Sequence, residues 1–131
     1  MSPDWQRAAE IGDALRLAEM LEAGAEVDTL DRYGQTALML AARNGHYEAV
    51  SVLVDADADL DHTAKYNLSA LMLAALNDRL EVVEQLMEAG ADSEIEGSGA
   101  PGFAGKTALE IAGDLGREEI AEAIRMGRNR R

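Results

Sequence analysis

The run Asp55-Ala56-Asp57-Ala58-Asp59-Leu60-Asp61 sets carboxylates at alternating positions. Hard oxygen ligands spaced in this way open the loops that bind calcium. The glycine and the distal glutamate of such a loop are missing here, so the acids are expected to serve structure and solvation. His46 and His62 are the remaining candidates for metal ligation or proton transfer. No serine stands at a spacing that would form a relay with His46, and the chain contains no cysteine. That excludes a thiolate nucleophile, a Cys-type zinc site and a disulfide framework. His46 is expected to orient a turn, and His62 to be solvated in a loop. Gly105-Lys106-Thr107 matches the end of a phosphate-cradling loop, but the upstream glycine that motif requires is Ala100. The basic ending Arg125-Met126-Gly127-Arg128-Asn129-Arg130-Arg131 offers phosphate contacts or a complement to a helix C-terminus, and is read as a frayed, solvated tail. These residues assemble no catalytic, metal or cofactor site, and the chain is not expected to be an enzyme.

The elements that carry these residues follow from composition and periodicity. The chain has 131 residues, 47% of them hydrophobic, which fits one folded domain and excludes intrinsic disorder. Aromatics are only 4% while alanine is abundant, so the core must come from closely approaching helices, not from a sandwich or barrel of large rings. A net charge of −13 repels phosphate backbones and anionic lipid heads. Nucleic acid and membrane are therefore not expected as partners. The start, Met-Ser-Pro-Asp-Trp, lacks the basic and apolar stretches of an export signal, and no apolar run approaches the roughly 18 residues needed to span a bilayer. A cytoplasmic location is expected.

The chain repeats itself. Ala37–Ala42 reads ALMLAA, and the same letters return at Ala70–Ala75, a lag of 33 residues. At that lag Asn44 meets Asn77, Glu48 meets Glu81, Leu53 meets Leu86 and Asp59 meets Asp92. Thr107 lies 38 residues after Ser69, so five residues have been inserted, near 96–104. The units run over about 1–30, 31–63, 64–104 and 105–131. Thr36, Ser69 and Thr107 each precede an apolar run, where a hydroxyl can accept from the free amides of a first turn. First helices are predicted over Ala37–Asn44, Ala70–Asn77 and Ala108–Leu115. Second helices, with apolar residues at three- and four-residue spacing, are predicted over His46–Asp55, Leu80–Ala89 and Arg117–Arg125.

The strings Gly34-Gln35-Thr36-Ala37-Leu38-Met39-Leu40-Ala41-Ala42-Arg43-Asn44-Gly45-His46 and Glu88-Ala89-Gly90-Ala91-Asp92 resemble the ankyrin repeat. The resemblance implies an all-α solenoid of four helix-turn-helix units, two of them caps, joined by short hairpin-like loops, with first helices and loop tips on the concave side. Ser2-Pro3 and Trp5 fit an N-terminal cap without a hairpin. The sequence departs from the family where Thr-Pro-Leu-His becomes Thr-Ala-Leu-Met at Thr36–Met39 and Ser-Ala-Leu-Met at Ser69–Met72. That removes the stiffening proline and the histidine bonds between neighbouring loops, and leaves Met39 and Met72 as adaptable packing. Asp57, Asn67 and Asp78 stand where the family prefers glycine, and local backbone strain is expected there.

The resemblance also places partner contacts at the loop tips and on the exposed face of the first helices. Carried over residue by residue, these are Arg32, Tyr33, Gln35, Arg43 and Asn44 in the second unit, and Lys65, Tyr66, Leu68, Leu76 and Asn77 in the third. Tyr33 and Tyr66 occupy matching slots, either docking a partner or packing against adjacent loops, and Leu68 and Leu76 are apolar where solvent is expected. Phe103, inside the insertion, either folds back over the third unit or projects to a partner. The implied function is non-catalytic protein binding on the concave face by a monomer, with acidic residues elsewhere attracting a partner that has a basic surface. The rival reading is an acidic inhibitor or immunity-like mimic that occludes a basic enzyme by charge.

Overall fold

Thr36, Ser69 and Thr107 begin helices because each hydroxyl accepts from a backbone amide three residues on. The distances are 3.2 Å to Met39, 3.3 Å to Met72 and 3.3 Å to Glu110. Thr36 and Ser69 are buried, so without these bonds both ends would be left unsatisfied away from water. At Thr107 the Glu110 carboxylate also accepts from the Thr107 amide at 3.1 Å, closing a reciprocal cap. Ser2 caps the first helix through the Trp5 amide at 3.2 Å, with Pro3 in its first turn, as the sequence predicts.

The computed structural model describes residues 1–129. Among these, eight α-helices stand in pairs: α1 (Pro3–Ile11) with α2 (Ala14–Glu22), α3 (Ala37–Arg43) with α4 (Tyr47–Asp55), α5 (Ala70–Leu76) with α6 (Leu80–Ala89), and α7 (Ala108–Asp114) with α8 (Glu118–Asn129). α1, α3, α5 and α7 pack in sequence as one layer, α2, α4, α6 and α8 as a second, and each pair also packs internally. The result is the expected all-α solenoid. Alanines make the layers possible: every residue from Ala37 to Ala42 is buried, and small side chains let α3 meet α1, α4 and α5 at once.

The first helices end one residue before the predicted limits. Asn44, Asn77 and Leu115 become caps, and the chain then turns left-handed at Gly45 (φ 75°), Asp78 (φ 62°) and Gly116 (φ 71°). The amides of His46, Arg79 and Arg117 reach back to the carbonyls of Ala41, Ala74 and Ala112 at 3.0, 2.8 and 2.9 Å. This is the glycine-type helix stop, made at Asp78 without a glycine. Asp57 and Asn67 also take positive φ, as their glycine-like slots imply.

The basic tail requires correction. α8 continues to Asn129 and is not frayed from Arg125 onward: Gly127 is buried against Met87, and Arg128 pairs with Glu94. Arg130 and Arg131 lie outside the described residues.

Two ladders hold adjacent units in register. At the helix stops, His46 Nε2 donates to the Glu10 carbonyl at 2.7 Å, Arg79 Nε to that of Arg43 at 3.1 Å, and Arg117 Nη2 to that of Leu76 at 3.1 Å. Glu10, Arg43 and Leu76 are successive positions of the repeat, so each unit supplies a donor to the negative end of the preceding first helix. A carbonyl can only accept, so His46 carries its proton on Nε2. In the hairpins, the Asp59 amide donates to Asp28 at 3.0 Å and the Asp92 amide to Asp61 at 2.8 Å. Acids of the alternating run thus bond backbone amides within and between loops. His62 corrects a second expectation. It is half-buried, and its Nε2 donates to the Gly34 carbonyl at 2.9 Å, restoring a histidine link between loops from a different position.

Gly12 shows how tightly the first ladder is fitted. It has φ +79°, and a Cβ built there would fall 2.5 Å from Cγ of the His46 ring. Gly12→Ala is expected to cost about 2–3 kcal/mol, combining left-handed strain with loss of the His46 bond. Urea unfolding measures it, and a cost under about 0.5 kcal/mol would mean that the ring moves aside freely.

Candidate partner-binding groove

The second unit presents its loop tip through one aspartate. Asp31 Oδ1 accepts from the amides of Tyr33 at 2.8 Å and Gln35 at 2.9 Å, and the Asp31 amide donates to the Gln35 carbonyl at 2.9 Å. The short carboxylate stands in for a backbone turn and fixes where Tyr33 leaves the loop.

The third unit has Ala64 at the matching position and lacks that acceptor. Its tip is a tight turn over Lys65–Asn67, with both Tyr66 (φ 61°) and Asn67 (φ 56°) left-handed. Asparagine tolerates that region; an aromatic residue does so at a cost of about 1–2 kcal/mol. The inserted segment supplies the missing support. Ser98 donates its amide to the Tyr66 carbonyl at 2.8 Å, and Asn67 Nδ2 donates to the Glu96 carbonyl at 2.9 Å. The insertion closes on itself through Gly97 N to Lys106 O and Gly105 N to Gly97 O, each 2.9 Å. Phe103 packs on Tyr66, ring centroids 5.7 Å apart and planes at 42°. Of its two placements left open by the sequence, Phe103 therefore takes the one over the third unit.

Between the two tips lies a groove of about 240 Å³. Tyr33 and Tyr66, 61% and 37% exposed, stand beside it with Lys65, while buried Met39 and Leu68 and half-buried Leu73 line its apolar base. Gln35 and Ala64 complete the lining. The volume falls below the roughly 300–1,000 Å³ typical of a drug-sized ligand pocket, and suits an inserted side chain. The Arg32 guanidinium lies 5.0 Å from the Tyr33 ring centroid, and the Lys65 ammonium 4.9 Å from that of Tyr66. Each ring thus holds a cation by its face.

The structure divides the residues singled out by sequence. Tyr33, Gln35, Lys65, Tyr66 and Leu68 meet around the groove, with Arg32 and Phe103 against its two rings. Arg43, Asn44, Leu76 and Asn77 sit at the far ends of α3 and α5, helices about 10 Å long. There Asn44 Nδ2 donates to the Glu10 carbonyl at 3.3 Å, Asn77 Nδ2 to the Leu73 carbonyl at 2.8 Å, and the Arg43 and Leu76 carbonyls serve the stop ladder. Leu68 corrects the expectation of an exposed apolar residue: it is 6% exposed, because the turn before it directs the chain inward toward the core. Leu76 is half-buried against the core. Sequence reasoning missed Ala64 and Leu73 and assigned Met39 to packing alone. The repeat alignment of Ala64 with Asp31 was the available signal for the altered tip.

Phe103→Ala is expected to raise amide hydrogen exchange at Ser98 about tenfold while lowering global stability by only about 1 kcal/mol, since it removes one half-buried ring contact. Unchanged exchange would show that the backbone bonds alone hold the tip.

A two-layer helical stack of paired short helices with tied loop tips and a groove between them defines a helical repeat scaffold. The family model described as ankyrin repeats (3 copies) matches residues 5–97, and the chain belongs to the ankyrin repeat family. Ankyrin repeats are generally non-catalytic modules of protein–protein interaction. The match ends inside the insertion, and α7 and α8 lie beyond it. No curated protein matches the chain. Among the described residues, no helix is long and apolar enough to cross a membrane.

Proposed function

We propose that this protein binds a partner protein at the groove between its second and third loop tips, without performing chemistry on it. The observation that carries this reading is the pairing of two partly exposed tyrosines over an apolar base, each ring bearing a cation. Tyrosine and arginine concentrate binding energy where they flank a pocket that can be dried. The protein acts as a monomer. Its acidic outer helices steer basic regions of the partner toward it, while the groove supplies the anchoring contacts.

A second reading rests on a separate observation. Glu81, Glu84 and Glu88 on α6, and Glu118, Glu119 and Glu122 on α8, are all exposed, making acidic outer surfaces suited to occluding a basic enzyme by charge. Salt separates the two. A partner captured from the native cell and anchored in the groove keeps its affinity within about fivefold between ~50 mM and ~500 mM salt. Loss of a hundredfold or more over that range, with binding unchanged by groove substitutions, would establish the charge-based mimic instead.

A further inference from the structure

The chain has 25 acidic residues against 12 lysines and arginines, yet no carboxylate lines the groove, whose only charged lining residue is Lys65. Five of the other basic side chains are paired with carboxylates, whereas Arg7, Arg43 and Arg79 form no such pair among the described residues. Arg16, Lys106, Arg117, Arg125 and Arg128 each lie within 4.0 Å of a carboxylate. Arg32 and Lys65 likewise form no such pair among the described residues. The acid adjoining Arg32 in sequence, Asp31, uses Oδ1 to accept two amides of its own turn. Both cations are instead placed over tyrosine rings, which position a charge without cancelling it. In a molecule of net charge −13, two positioned and unpaired cations beside one apolar depression form a local site of opposite sign.

We infer that the groove takes a segment of the partner protein that carries an apolar side chain next to a carboxylate. The inference rests on the docking reading above and gives that site its ligand chemistry. The apolar side chain enters between Tyr33 and Tyr66 over Met39 and Leu68, and the carboxylate lies against Lys65 and Arg32. The acidic body repels such a ligand at long range, so the attraction must come from contact. Physiological salt screens the repulsion beyond about 8 Å and weakens the contact pair less. Acidic ligands should therefore bind at least as well at physiological as at low salt.

The test is selection of a random dodecapeptide library displayed on phage against the full chain, at physiological salt, beside Arg32→Glu/Lys65→Glu and Tyr33→Ala/Tyr66→Ala. The wild type is expected to enrich peptides with Asp or Glu adjoining a large apolar residue, and the charge-reversed variant to enrich Lys or Arg in the same place. A synthetic peptide of the enriched acidic class, followed by fluorescence polarisation, should lose about fivefold in affinity on Lys65→Gln. Enrichment of peptides with basic flanks, or with no charge preference, by the wild type would overturn the carboxylate inference and leave groove docking intact. Enrichment no better than that of the tyrosine double variant would overturn both. Helical circular dichroism matching the wild type verifies that each variant is folded.

Discussion

Tyr33→Ala combined with Tyr66→Ala should weaken partner binding by about a hundredfold while leaving helical circular dichroism unchanged. The size follows from truncating two aromatic anchors beside one groove, each in the range of an interface hot spot. The fold is spared because both residues occupy loop tips and are partly exposed, at 61% and 37%. Alanine at position 66 keeps the left-handed strain of φ 61° but loses the Phe103 contact, so a small loss of stability accompanies the loss of binding. Tyr47→Ala is the matched control. Tyr47 is 46% exposed but opens α4 in the outer layer, and its truncation should leave capture untouched. Equal binding by the double variant and the wild type would remove both tyrosines from the site.

The largest effect on stability is expected at Leu53. Its side chain is fully buried in α4, a helix that packs on α3 and on both of its layer neighbours, α2 and α6. Leu53→Ala removes apolar contact and leaves a cavity that short helices joined by tight stops cannot collapse around, for a loss of about 3 kcal/mol in urea unfolding. Leu115→Ala, at a site 47% exposed, should change stability by less than about 0.5 kcal/mol. Similar losses for the two would contradict the assignment of the core to the seam between layers. In a stack where each unit contacts only its neighbours, a weakened central unit breaks both seams at once, so unfolding should broaden as well as shift.

Local signals carried most of the fold. The hydroxyl caps at Thr36, Ser69 and Thr107, the identical ALMLAA runs and the 33-residue lag each report interactions within a few residues or between equal positions, and these are visible in one chain. What the sequence concealed depends on contacts between non-equivalent positions. His62 gave no sign that it would reach Gly34, and nothing in the sequence marked Arg79 and Arg117 as donors to the Arg43 and Leu76 carbonyls. The groove was half legible. Matching slots put Tyr33 beside Tyr66, but the first-helix face was assumed to be exposed along its whole length, whereas at its far end Asn44 and Asn77 are held by backbone carbonyls. Tyr66 in a left-handed turn could not be foreseen, because the support that holds it comes from the insertion, some thirty residues on.

Hydrogen exchange on the protein bound to its captured partner tests the docking surface most directly. Protection should appear at the loop amides of Arg32–Gln35 and Lys65–Leu68, with the outer helices α4, α6 and α8 exchanging as in the free protein. Protection confined to those outer helices, with both loop tips unchanged, would contradict the groove as the place of binding.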